Sequence, residues 1–257
     1  MRGDRDRFAD YPMVEEDEAT GRVAGVYAQL LDGMPFVPSL FKSLALCPGY
    51  LVLAAEQAAP ALRDDRFGAL AQELAASVRT ASIPPEDDEV RSVLARFAGP
   101  LSRMLLLAAG LRLALDDELD APPAPGQVPA SRPVQPRRPA PSPQDAPAAQ
   151  VYGEIRAALD TPMVNSIWRE LAGQGRLAAA WAALGPQAPA TRPMAEDLQR
   201  RAVDAARRVP WQVAASPAAL SQAGVADAAP GMAAVLEAYA TTLPRVLVLA
   251  ASSASGD

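Results

Sequence analysis

Two short stretches carry the side chains that could do chemistry. Residues 165–169 read Asn165, Ser166, Ile167, Trp168 and Arg169, just after Thr161-Pro162; residues 36–42 bring Phe36, Ser39 and Lys42 to a similar pattern. An amide and a hydroxyl can hold a water or a carboxylate by hydrogen bonds, and an arginine matches a carboxylate bidentately. None of these groups is a general base. The chain has no histidine and one cysteine, Cys47. That excludes Ser-His-Asp and Cys-His catalysis, His-ligated metals, an intramolecular disulfide, a CxxC pair and a cysteine-rich zinc site. A base would have to be a carboxylate. Asp32 and Asp160 precede the two stretches; Asp160 is a weak candidate, since a carboxylate before a helix also serves the helix dipole. No pair of carboxylates has a spacing that suggests glycosidase or di-metal chemistry.

Each residue has a structural reading beside the chemical one. Asn165 either holds a water or a carboxylate, or caps a helix opened by Thr161-Pro162. Ser39 and Ser166 either face each other and line a small polar pocket, or are small so that two helices can approach. Lys42 and Arg169 either bind an anion or sit in ion pairs, with Glu170 or Glu154 as partners. Trp168 and Trp181 belong to consecutive helices, as core or as pocket lining. Cys47, with no histidine to activate it, reads as an inert thiol.

What positions these residues is helical throughout. Val23, Val26, Tyr27, Leu30 and Leu31 follow helical spacing. Pro84-Pro85 before Glu86-Asp87-Asp88-Glu89 is a helix start, Thr161-Pro162 and Ser216-Pro217 resemble N-cap and N1 pairs, and Gly99-Pro100 should separate two helices. No alternating strand pattern is present. Ten of the 26 prolines fall in residues 120–150, a stretch with almost no large apolar side chain, which reads as a tether. Arg132, Arg137 and Arg138 in it allow a proline–arginine docking peptide as the alternative.

The segments flanking the tether match. Val26-Tyr27 pairs with Val151-Tyr152, Pro35 with Pro162, Ser39 with Ser166, Phe41 with Trp168, Lys42 with Arg169, and Leu44-Ala45 with Leu171-Ala172. VLARFAGPLSRMLLLAA at 93–109 matches VLEAYATTLPRVLVLAA at 235–251, bringing Phe97 to Tyr239, Leu101 to Leu243 and Arg103 to Arg245. The expected fold is all-α: two homologous helical-bundle halves of five or six helices each, packed as an intramolecular pseudo-dimer and joined by the Pro-rich linker. The expected divisions are a tail over 1–14, a first repeat over 15–119, the linker over 120–147, a second repeat over 148–252 and a tail over 253–257.

The segments PFVPSLFKSLALCPGYL and PMVNSIWRELAGQGRL, with the VLARF…LLLAA ending, together resemble the group I (DL-) 2-haloacid dehalogenases, a family also labelled halocarboxylic acid dehydrogenase. The resemblance covers both halves. It implies an all-helical fold of two related halves and hydrolysis of the carbon–halogen bond of 2-haloalkanoic acids by water that an aspartate activates, with no cofactor and no covalent ester. The family's aspartate lies four residues before a Leu-Ala pair in the second half. Here that pair begins at Leu171, so the matching residue is Ile167, which can neither accept a proton nor orient a water. Phe36 matches the aromatic wall after the first-half proline. The pocket implied by the resemblance takes in Phe36, Ser39, Asn165, Ser166, Ile167, Trp168 and Arg169.

Three readings follow: a divergent relative without the base that binds a small organic acid or apolar ligand between the halves; an active haloacid hydrolase with a displaced base such as Asp160; and a structural or interaction protein. No cofactor and no metal is expected. A net charge of −6 gives no case for nucleic acid or anionic membrane. The polar N-terminus and the shortness of the apolar run before Arg112 point to a cytoplasmic protein without a membrane span. Lys42 is the only lysine among the basic residues, a bias typical of GC-rich bacterial genomes. A homo-oligomer stays open.

Overall fold

A computed structural model of the chain describes residues 12–34, 36–78, 85–119, 122 and 146–251. Pro35, Pro84, the terminal tails and most of the proline-rich stretch, with Arg132, Arg137 and Arg138, lie outside them. Among the described residues every regular element is a helix. The first stretch holds α1 (Gly21–Gly33), α2 (Ser39–Leu44), α3 (Pro48–Arg63), α4 (Asp65–Ser77) and α5 (Asp88–Leu115). The second holds α6 (Ala146–Leu159), α7 (Ser166–Gly173), α8 (Leu177–Leu184), α9 (Ala188–Ala206), α10 (Pro217–Gln222) and α11 (Ala229–Ala251).

Local chemistry starts several of them. The Asp87 carboxylate accepts from the Glu89 and Val90 amides at the head of α5, Asp64 does the same for α4, and the Ser216 hydroxyl caps α10. Two expected punctuation marks fail. Gly99-Pro100 does not divide two helices, because α5 runs through Pro100. An interior proline costs about 3 kcal/mol. The buried side chains on both sides of it, Phe97, Leu101, Met104 and the run of leucines from Leu105, offset that cost. Thr161-Pro162 does not start a helix either. The Thr161 hydroxyl is buried and shares a hydrogen bond of 2.6 Å with Thr242 on α11, while α7 begins only at Ser166, behind the extended Asn165.

The core is built on α5 and α11, which pack along each other. Leu105, Leu106, Leu107 and Ala108 on α5, and Val246, Leu247 and Leu249 on α11, have no exposed surface. A helix apolar on all sides has to be surrounded. By length and mean hydropathy both segments could cross a bilayer, but 72% and 67% of their apolar windows are buried inside the fold. Several further contacts come in matching sets: α7 lies on α5 and α2 on α11, α4 on α5 and α9 on α11, α1 on α3 and α6 on α8; the packing of α9 on α5 has no such counterpart.

The segment ahead of α1 straps α2 to α7. The Val14 amide donates to the Lys42 carbonyl at 3.0 Å, and the buried Tyr27 hydroxyl donates to the Val14 carbonyl at 2.7 Å. Burial, with Glu15 and Glu16 nearby, pushes the Tyr27 phenol above its ordinary range and keeps it a donor. Glu15 then takes Lys42 Nζ on one oxygen at 2.8 Å and Arg169 Nη1 on the other at 2.9 Å, and Glu16 takes Lys42 at 3.4 Å. The expected partners of Arg169, Glu170 and Glu154, are turned elsewhere: Glu170 accepts from Arg96 and Gln174, and Glu154 from Gln150.

Burial raises the Glu15 pKa, but the hydrogen bonds and charges of Lys42 and Arg169 outweigh it and hold the carboxyl below its ordinary 4.5. A depressed carboxylate adds stability above its unfolded value, and that stability is lost as pH falls through the folded value. Urea melts of the parent and Glu15→Gln should therefore differ most at pH 6–7 and converge as pH drops below 4.5; a gap independent of pH would contradict the linkage.

A second expectation concerns the loop between α9 and α10. Trp211 lies on α5 at Gly110, where an added Cβ would stand 2.1 Å from the indole, and Gln57 ties the same loop to α3 by accepting from the Ala214 and Ala215 amides. Gly110→Ala should cost roughly 1–3 kcal/mol by overpacking. Gly153→Ala, with open space around it, should stabilise by about 0.5–1 kcal/mol. Thermal melts of both variants check the contrast.

Candidate functional site

The starts of α2 and α7 meet at the centre of the molecule. Ser39 Oγ and Ser166 Oγ are 2.5 Å apart, one hydroxyl donating to the other. A serine at each position removes the bulk that would keep the helices apart and pairs the hydroxyls exposed by the approach. Beside this contact lies a cavity of about 90 Å³. A single water needs ~10–15 Å³ of such space, so a small organic molecule fits.

Four elements and one connecting segment supply its walls. Ser39 and Leu40 come from α2; Asn165, Ser166 and Ile167 from the head of α7; Phe97, Pro100, Leu101 and Met104 from the middle of α5; Tyr239 and Leu243 from α11; Met34, Phe36 and Pro38 from the segment between α1 and α2. Phe36 stacks on Phe97 with ring centroids 5.6 Å apart. Tyr239 is oriented from behind by its hydroxyl, 3.0 Å from Ser43 Oγ. Ile167 is completely buried. Among the described residues, no carboxylate and no cation lines the cavity.

Asn165 is its most polar wall. The residue stands at the N-cap of α7, but its side chain accepts no capping bond, and Oδ1 is buried without a hydrogen-bond partner. An amide oxygen left so costs on the order of 1–3 kcal/mol until a donor reaches it. The capping role is thus not used, and the oxygen is free for a ligand or a water.

Phe36, Ser39, Asn165, Ser166 and Ile167 therefore converge on one space, whereas Trp168 and Arg169 do not reach it. Trp168 points into the core and meets Trp181 edge-on at 5.5 Å. Arg169 is committed to Glu15. Asp160 is far from a catalytic placement: its carboxylate is 73% exposed and faces Arg192 and Arg245, and its backbone takes a positive φ of 47° at the end of α6. Asp32 lines a different recess, between α1 and α3. Cys47 stands at the N-cap position of α3 without a side-chain capping bond and stays a free, half-buried thiol.

Reading the sequence for chemistry passed over Phe97, Leu101, Met104, Tyr239 and Leu243, because they sit in apolar helices that read as core. A signal was nevertheless present. Ser39 and Ser166, Phe97 and Tyr239, and Leu101 and Leu243 are matched positions of the two stretches, and both members of each pair line the cavity. Leu40 and Ile167, one residue after the serines, follow the same rule.

No family model matches the chain, and no curated protein matches it. Solved structures do. A D-2-haloacid dehalogenase in complex with L-LA superposes with a TM-score of 0.77 over 94% of both chains at 20% identity. A mutant of such an enzyme gives 0.76 over 93% of both chains at 20% identity. A mutant in complex with D-2-CPA gives 0.75 at 21% identity over 94% of this chain and 93% of that one. The chain has the fold of the D-2-haloacid dehalogenases.

Proposed function

We propose that this chain is a divergent, non-hydrolytic relative of the 2-haloacid dehalogenases that binds a small, mainly apolar organic ligand in the cavity beside Ser39 and Ser166. One observation carries the reading: Ile167, the position where the resemblance expects an aspartate, stands on the cavity wall, and no carboxylate lines the cavity among the described residues. Hydrolytic dehalogenation needs a group that takes a proton from water, and removing such a base typically costs roughly 100- to 10,000-fold. The exposed, ion-paired Asp160 offers no replacement.

The walls also select the ligand. Phe36, Phe97, Leu101 and Met104 favour an apolar body, while Asn165 Oδ1 asks for one hydrogen-bond donor. A carboxylate would enter without a cation to meet it, and burying an unpaired charge is costly. A neutral molecule with one N–H or O–H suits the space better than an ionised acid. The matched residue pairs around the cavity support a pseudo-dimer with its ligand at the approximate symmetry axis. In the cell we place the protein in a bacterial cytoplasm.

Purified protein is expected to release no halide from either enantiomer of 2-chloropropionate above a heat-denatured control; release that survives repurification would overturn the reading. In saturation-transfer NMR the neutral 2-chloropropanamide should bind more tightly than 2-chloropropionate, and Asn165→Leu should weaken the amide about tenfold, the loss of one buried hydrogen bond. Ile167→Asp places an ionisable group on the cavity wall and should raise halide release above that of the parent. A folded Ile167→Asp protein with no release would mean that the other walls have also left dehalogenation chemistry.

A further inference from the structure

A second, larger recess of about 660 Å³ lies between α1, α3 and α5. Its walls are mixed: Val26 and Leu30 from α1 and Ala55, Ala59 and Leu62 from α3 form the apolar part, Gln29 adds an amide, and Arg63 and Arg103 bring two guanidiniums to it. Arg103 donates to the Leu62 carbonyl at 2.5 Å and lies over the Phe67 ring at 5.6 Å, which fixes the group in place. Neither arginine has a carboxylate partner among the described residues. Among the described residues Asp32, exposed at the rim, is the one acid lining the recess. Two cations against one carboxylate leave it one positive charge.

The other half of the molecule shows what the same arginine does when it has no such task. Arg245, the match of Arg103, donates to the Leu159 and Asp160 carbonyls and faces the Asp160 carboxylate, so it closes the end of α6. Arg103 does not close α1 in this way. It turns to the end of α3 instead, and the space beside α1 stays open.

We infer that this recess is a binding site for a small monocarboxylate with an apolar body. The carboxylate sits against Arg63 and Arg103, whose remaining donors suit it bidentately. The aliphatic part lies on Val26, Leu30 and Ala59. One negative charge balances the net positive charge of the recess. The site is independent of the neutral inner cavity, although Met34 lines both spaces.

Hexanoate and its neutral isostere hexanamide are the probes, titrated into the full-length protein by calorimetry. Hexanoate should bind about tenfold more tightly, the worth of one charge-assisted hydrogen bond. Arg63→Met, at an exposed position with no partner to lose, should weaken hexanoate about tenfold and leave hexanamide unchanged. In methyl NMR spectra hexanoate should shift Val26, Leu30 and Leu62. Equal affinity for the two probes, or indifference of hexanoate to Arg63→Met, overturns the assignment. Shifts confined to Leu40, Ile167 and Leu243 also overturn it, and would place the acid in the inner cavity, against the neutral ligand proposed there.

Discussion

Lys42 and Arg169 lie one turn into α2 and α7, and both are bound to the carboxylate of Glu15. The constraint behind this is electrostatic. Two helix N-termini meet at Ser39 and Ser166, each the positive end of its dipole, and each brings a side-chain cation one turn behind the contact. Without a negative group the approach would set like charges against each other in a half-buried place. Glu15 spans both cations and Glu16 adds a second oxygen to Lys42, so the short contact between the serines can persist. The hydroxyls bring the helices together, and the strap ahead of α1 neutralises what that brings. The cavity depends on both, since its polar corner is the meeting point of those helix starts.

This arrangement sorts charge by place. Ionisable groups gather in the strap, at the surface pairs and around the outer recess, while among the described residues the inner cavity keeps only hydroxyls and one amide as polar walls. Among low-dielectric walls a carboxylate would be held toward its neutral form unless donors met it, and the donors within reach are Asn165 and the paired serines. An isoleucine at position 167 removes that tension. It fills the volume with atoms that need no partner, and on the cavity wall the Asn165 oxygen is left wanting a donor.

How much of this could be read from the chain alone depended on range. Asp87 and Ser216 announced helix starts correctly because a cap acts over two or three residues. Gly99-Pro100 misled for the same reason. A proline is a local penalty, and the burial of Phe97, Leu101 and Met104 that overrode it came from packing against distant helices. Thr161 misled because its hydroxyl found Thr242, far along the chain. The Glu15 pairs left no signal, since residues that meet across the fold have no fixed spacing in sequence. The residues at the heads of α2 and α7 were legible through the matched stretches, which pair Ser39 with Ser166 but left open whether the two hydroxyls face each other or only let the helices approach.

The sequence match between the two stretches also shows where they part ways. Matched residues do the same work near the centre, where Phe97 and Tyr239, and Leu101 and Leu243, line one cavity. Farther out, matched residues diverge. Arg245 caps the carbonyls of α6, whereas Arg103 leaves α1 and binds the end of α3. Positions close to the contact between the two stretches are constrained from both sides at once, so a change in one must suit its counterpart. Positions one helix away are constrained by their own half alone. A charge-bearing recess can therefore stand beside one stretch without disturbing the other, as it does beside Arg103.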